Sequence, residues 1–286
     1  ILVGIYAIYT LLELVLHGLE LGFVKKRMSG EAVILSKQQF IASANASIAK
    51  LKFKLFSLCY AFLLLVFWLF WGLGALRQLF EVSVDLSGIL AQMLYFSLFL
   101  ALSELLSLPL EIYEKFVLDK KLGFSNIKAP LFISDFIKKL VLVAIFAALG
   151  AGLFMLCYDF LGTLWWLWAW ALAFGIILLV NLIYPTIIAP IFNKTKPLEN
   201  SELKASIESL LDSCGFKSSG VFIMDASKRD NRLNAYFGVL GASKRVVLFD
   251  TLINKLSQAE IIAVLAHELG HFKHKDIIKN IVFMGV

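Results

Sequence analysis

Charge is scarce in this chain. Asp, Glu, Lys and Arg together make up 17% of its 286 residues, against about a quarter in an ordinary soluble domain. With 60% apolar residues, that scarcity argues against a soluble globular domain and excludes a disordered tail or a fibrous repeat. Cysteine is also sparse. Cys59, Cys157 and Cys214 are odd in number and far apart, which fits neither a disulfide framework nor a Cys-based zinc site and leaves small buried apolar side chains. No nucleic-acid-binding motif is present, and the first apolar segment has no basic leader of the kind that precedes a cleavable signal peptide. What is abundant is aromatic: 25 Phe and 6 Trp suit lipid-facing helices. The net charge of +6 then reads as loops facing anionic lipid and the cytosol.

Five stretches are long and apolar enough to span a membrane: 1–24, 55–76, 86–110, 140–158 and a longer one within 160–193. About 20 helical residues cross a hydrocarbon core of about 30 Å. The last stretch includes a turn at 161–163 and an exit past Pro185 and Pro190. Lys and Arg alternate between the connecting loops. The first loop carries Lys25, Lys26, Arg27, Lys37, Lys50, Lys52 and Lys54, and the third carries Lys115, Lys120, Lys121, Lys128, Lys138 and Lys139. The second and fourth are nearly free of base. The positive-inside rule places the basic loops, and everything after Asn193, in the cytosol. Trp165, Trp166, Trp168 and Trp170 fall at the opposite interface. Glu13, His17 and Glu20 share one helix face; they line a polar chamber or ion path, or mark a helix end near the interface. Ile1 at the start and an apolar run at the end suggest an inner stretch of a longer protein.

After Asn193 the composition changes, so the expected organisation is a transmembrane domain over 1–193 and a cytosolic domain over 194–286. Leu203, Ile207, Leu210 and Leu211 repeat at helical spacing, with Gly215 as a stop. Short strands are expected at 221–224, 233–240 and 245–249. Ser257 and Glu260 form a capping box that opens a helix near Gln258.

That helix carries His267-Glu268-Leu269-Gly270-His271. Residues i and i+4 lie one turn apart on one face, so His267 and His271 can share one Zn²⁺. Glu268 is rotated off that line and is the expected general base. Gly270 is read as removing bulk near the site. His274, flanked by Lys273 and Lys275, is read as a solvated residue, with a supporting partner of the site as the other reading. A catalytic zinc takes a third protein ligand. Asp276 lies too close along the same helix to complete a tetrahedron, so the third ligand is expected beyond Val286 and metal binding by this stretch alone is expected to be weak.

Here the pattern resembles the Ste24-type CaaX prenyl proteases, integral-membrane zinc metalloproteases of family M48. The likeness rests on Tyr184-Pro185-Thr186-Ile187-Ile188-Ala189-Pro190-Ile191-Phe192, on Ser227-Lys228-Arg229, Asn234-Ala235-Tyr236-Phe237 and Lys244 to Leu252, and on Lys121 to Ser125 with Asp135 and Lys138. Asp230-Asn231-Arg232 departs from the family pattern. The resemblance implies a predominantly α-helical integral membrane protein: a multi-span helical chamber with a small α+β zincin-like catalytic part. It implies a distal Glu as third zinc ligand, and an edge strand at Asn234, Ala235 and Tyr236 that pairs with the substrate backbone. The expected partners are peptide or protein substrates, including C-terminally prenylated ones, and the lipid bilayer, with no nucleic acid. Other readings are a membrane quality-control protease of the same family, a transporter or channel with an incidental zinc motif, and a non-catalytic zinc scaffold.

Overall fold

The computed structural model describes residues 1–83, 88–238 and 245–285. Two compact units emerge, Ile1–Leu122 and Gly123–Val286. The compositional change at Asn193 therefore falls inside the second unit.

The first unit holds α1 (Leu2–Arg27), α2 (Lys37–Phe67), α3 (Leu73–Ser83), α4 (Gly88–Ile112) and the short α5 (Asp119–Lys121). A capping box starts α2: Gln39 N–H donates to Ser36 Oγ (3.3 Å) and Ser36 N–H to Gln39 Oε1 (3.2 Å). The helix thus begins 18 residues before the apolar stretch at 55. Backbone hydrogen bonding continues wherever water or lipid is tolerated by the side chains, so apolarity alone marks only the inner part of the rod. A π-turn at Trp68–Gly72 joins α2 to α3, and another at Tyr113–Leu118 follows Pro109 in α4. Proline lacks the N–H that an α-turn needs, and wider turns absorb such defects. The helices are tied by few polar bonds. Tyr60 Oη donates to the Leu106 carbonyl (2.6 Å) and Tyr95 Oη to that of Leu73 (3.0 Å). Tyr6 stacks on Phe62.

The second unit opens with α6 (Ala129–Phe160) and α7 (Trp165–Ile183), joined by a 3₁₀ turn at Gly162–Leu164. Gly162 has φ 59° there, a left-handed conformation that glycine adopts without strain. Trp165 closes this hairpin edge-on against Phe154 and Tyr158, both with ring centroids 5.4 Å away. A π-turn at Tyr184–Ile188 and the short α8 (Ala189–Phe192) end the membrane part. Among the described residues, five helices have the length and apolarity to cross a membrane, and their surfaces carry many exposed large apolar side chains. The chain is a multi-pass integral membrane protein with a small α+β part.

That part contains β1 (Thr195–Pro197), α9 (Ser201–Ser213), β2 (Val221–Met224), β3 (Ala235–Gly238), β4 (Arg245–Phe249), α10 (Asp250–Lys255), α11 (Gln258–Lys273) and α12 (Asp276–Gly285). The strand expected over 233–240 is shorter, and 239–240 lie outside the described residues. β1 was not expected, because Lys194 to Lys196 opens a polar stretch; it pairs antiparallel with β2. The sheet order is β1-β2-β4-β3, with β2 and β4 parallel and β3 antiparallel to β4. β4 is central and buried on both faces, so Val246, Val247 and Leu248 form an apolar run rather than an alternation. Val246 and Leu248 face a core with Leu203, Ile207 and Leu211 of α9 and Ile261, Leu265 and Leu269 of α11. Val247 faces Met224, Ala226, Phe222, Tyr236 and Phe249 on the other side.

Candidate metal centre and substrate strand

α11 is built with two faces. Ser257 and Glu260 cap its start: Ser257 N–H donates to Glu260 Oε2 (2.8 Å) and Ser257 Oγ to the same oxygen (2.7 Å). These bonds hold the Glu260 carboxyl below its ordinary range. Ile261, Leu265 and Leu269, at i, i+4 and i+8, form the buried stripe. The helical period then turns His267 and His271 outward and leaves Glu268 half-buried between the faces.

The two imidazoles stand 5.0 Å apart between ring centroids and nearly perpendicular, at 87°. His271 Nδ1 lies 2.9 Å from Asp276 Oδ2, and Lys279 Nζ donates to the other Asp276 oxygen (3.0 Å). The His271 ring, then Lys279, holds the Asp276 carboxyl below its ordinary range. A carboxylate accepting at Nδ1 keeps the proton there and leaves Nε2 as a lone-pair donor, an arrangement that supports metal-binding histidines.

Asp276 is not on the same helix as the histidines. α11 ends at Lys273, and Lys275 takes φ 56° before α12 begins at Asp276. That break swings the carboxylate back to His271. The spacing His-x-x-x-x-Asp was a visible signal, but a continuous helix through it would have hidden the contact. His274 is the exposed C-cap residue of α11. A Cβ at Gly270 would meet nothing within 4 Å, so no packing inside the protein requires glycine there. Among the described residues, no third His, Cys, Asp or Glu joins the pair to complete a metal site. The pair of imidazoles, one with its Nδ1 held, nevertheless suits a divalent cation by donor chemistry.

Of the expected substrate-strand residues, Asn234 precedes β3 and is exposed, Ala235 is buried, and Tyr236 is half-buried. Among the described strands β3 is an edge, paired only with β4. The Phe249 N–H donates to the Asn234 carbonyl (3.1 Å). By antiparallel alternation the N–H and C=O of Ala235 turn to the open side. There the Ala235 N–H is held by Asn234 Oδ1 (2.9 Å). Side chains alternate too: Ala235 and Phe237 join the core beside α11, whereas Tyr236 packs on the opposite face with Phe249. Burial pushes the Tyr236 phenol above its ordinary pKa, partly offset by Arg245. Its hydroxyl is buried and has no hydrogen-bond partner among the described residues.

Around these elements runs a polar clamp. Arg229 donates from Nε to Asp135 Oδ2 (2.7 Å), from Nη2 to Oδ1 (3.0 Å) and from Nη1 to Asn193 Oδ1 (3.1 Å). Lys138 Nζ reaches the Ile191 carbonyl (3.0 Å). Asn231 Nδ2 donates to the Gly123 carbonyl (3.0 Å), and Ser125 bridges Asp230 as a short β-pair. Asp250 accepts from Ser227 N–H (2.8 Å). Segments distant in sequence (123–126, 135–138, 191–193, 225–232 and 250) thus meet, including the divergent Asp230-Asn231-Arg232.

Residues 27–194 match the profile described as CAAX prenyl protease N-terminal, five membrane helices, and residues 197–286 match Peptidase family M48. The chain belongs to peptidase family M48. CAAX prenyl protease 1 of Saccharomyces cerevisiae is 39% identical over 262 residues, covering 87% of this chain and 57% of that protein. A human CAAX prenyl protease 1 homolog is 29% identical over 250 residues, covering 74% of this chain and 51% of that one. The crystal structure of S. mikatae Ste24p superposes with a TM-score of 0.85 at 32% identity, covering 99% of this chain and 68% of that one. The chain therefore spans about half the length of most of the curated relatives it matches.

Proposed function

We propose that this M48 chain acts as a membrane-embedded zinc metalloendopeptidase whose catalytic part, residues 194–286, lies on the cytosolic side. The single observation that carries the reading is the outward face of α11, where His267 and His271 stand 5.0 Å apart with Glu268 beside them. His267 and His271 would hold the ion. Bound there, zinc would supply a Lewis acid for the scissile carbonyl and a lowered water pKa. Glu268 takes the proton from the attacking water and passes it to the leaving amine nitrogen. Asp276 keeps His271 in the tautomer and orientation that a metal requires.

The open edge of β3 is where an extended peptide would add as a further strand, held by main-chain bonds. Ala235 supplies its first backbone groups, and the Asn234 side chain must swing off the Ala235 N–H as the peptide docks. Tyr236 lines the face away from α11. The names of the relatives support a substrate with a C-terminal prenyl group, and the alternation of basic loops supports the cytosolic placement.

The test is Glu268→Gln in the full-length protein, assayed on a farnesylated C-terminal peptide and its unprenylated counterpart. The expected result is a fall in kcat of about 10²–10⁴ with the fold intact. Hydrolysis at the unmodified rate would overturn the assignment, and equal turnover of the two peptides by the unaltered protein would overturn the prenyl preference alone.

A further inference from the structure

Within the first compact unit, α2 and the end of α4 with its π-turn leave a cleft of about 940 Å³ between them. That is the upper end of the range for small-ligand sites. Its lining changes along its length. Tyr60 stands at one end, inside the apolar stretch of α2; Ala42, Asn45, Ala46 and Ala49 line the other, and Lys52, midway along α2, and Lys121, the last residue of α5, line the stretch between. Between Tyr60 and Lys52 lie Phe53 and Phe56, with Tyr113 opposite and the Phe53 and Tyr113 rings 5.5 Å apart. From Lys52 to Tyr60 the helical rise gives about 12 Å. The cleft therefore runs from headgroup depth into the hydrocarbon.

Charge selects the occupant. Lys50 and Lys115 turn towards the buried carboxylate of Asp119, at 3.5 and 3.3 Å. Lys52 and Lys121 line the cleft instead, and no Asp or Glu lines it with them. Two ammonium groups above an aromatic apolar slot complement a phosphate diester that carries acyl chains. A zwitterionic headgroup brings its own cation to the same lysines and is disfavoured. We propose that this cleft binds one anionic phospholipid, with the phosphate on Lys52 and Lys121 and an acyl chain against Phe53, Phe56 and Tyr113. The site is independent of the protease reading.

The test is native mass spectrometry of the whole protein in mild detergent, titrated separately with phosphatidylglycerol and phosphatidylcholine. One phosphatidylglycerol per chain is expected, bound at least tenfold more tightly than phosphatidylcholine. Lys52→Ala with Lys121→Ala should weaken phosphatidylglycerol about 30-fold. Phe56→Ala, which removes a wall of the apolar slot without changing charge, should weaken it as well. Lys120→Ala, on the same basic end but outside the cleft lining, should leave it unchanged. Equal binding of the two lipids, or undiminished phosphatidylglycerol binding by the double lysine variant, would overturn the proposal. One-for-one displacement of phosphatidylglycerol by a farnesylated peptide would make the cleft a substrate groove and overturn it too.

Discussion

The apolar side chains of the spans and those of the small α+β part obey different rules. In the α+β part Ile207, Val246, Leu248 and Leu265 are fully buried, at 0% exposure. In the spans Ile133, Val141, Leu149 and Phe154 sit about half exposed, although their helices are at least as apolar. The difference is solvent. Water drives the first set into a close-packed interior, where each missing methylene leaves a cavity. Lipid gives the second set an apolar environment already, so helix association there relies on packing and a few polar bonds. The lesson is that α11 can carry its histidines outward only because its other face is locked by a water-driven core.

The sharpest way to break this comparison is a matched pair of truncations. Leu265→Ala should destabilise the α+β part by about 2–5 kcal/mol, seen as an earlier thermal unfolding transition and faster amide exchange in α11. Leu149→Ala, on a lipid-facing site, should shift stability by less than about 1 kcal/mol. Comparable losses from both would show that the spans are packed like the core.

The clamp offers the next largest effect. Arg229→Lys keeps the charge but loses the two-pronged contact with Asp135 and the bond to Asn193, and a charge-assisted bond of this kind contributes about 1.5–3 kcal/mol. The expected outcome is a lower Tm with little change in the metal affinity of α11. A changed metal affinity at unchanged Tm would tie the clamp to the site instead.

Asp276→Asn tests the exposed face of α11 by itself. Loss of the carboxylate acceptor at His271 Nδ1 should weaken metal binding by about 10–100-fold, read by competition with a chelator, while the core and its Tm stay in place. Unchanged metal affinity would reduce Asp276 to a helix-start residue.

The smallest effect is at the capping box. The Glu260 carboxyl is held below its ordinary range by Ser257. A group with a depressed folded-state pKa stabilises above its unfolded value and loses that contribution as pH falls through the folded value. Amide exchange in the first turn of α11 should therefore rise on acidification below the ordinary Glu range, and Ser257→Ala should abolish that pH dependence. Identical profiles in the two proteins would dissociate the titration from the cap.

How much of this was legible in the sequence depends on the range of each interaction. The start of α11 was readable because Ser257 and Glu260 are three residues apart, and so was the shared face of His267 and His271. The membrane-capable helices were readable from apolar runs, but α2 starts at Lys37 and α6 at Ala129, well before the apolar cores at 55 and 140. A cap or an N-terminal proline sets a helix start without any apolar signature. β1 was invisible because two polar residues and a proline become a strand only when β2 offers an edge.

The sequence by itself determined what neighbours in the chain determine: the membrane-capable helices, the helix that carries His267-Glu268-Leu269-Gly270-His271, and the two faces of that helix. Those follow from periodicity and capping within a few residues. Tertiary structure alone decided that Asp276 returns to His271, that Arg229 meets Asp135 across 94 positions, and that a cleft lined by Lys52 and Lys121 opens between α2 and α4. Each of those depends on where distant segments come to rest, which no local pattern encodes.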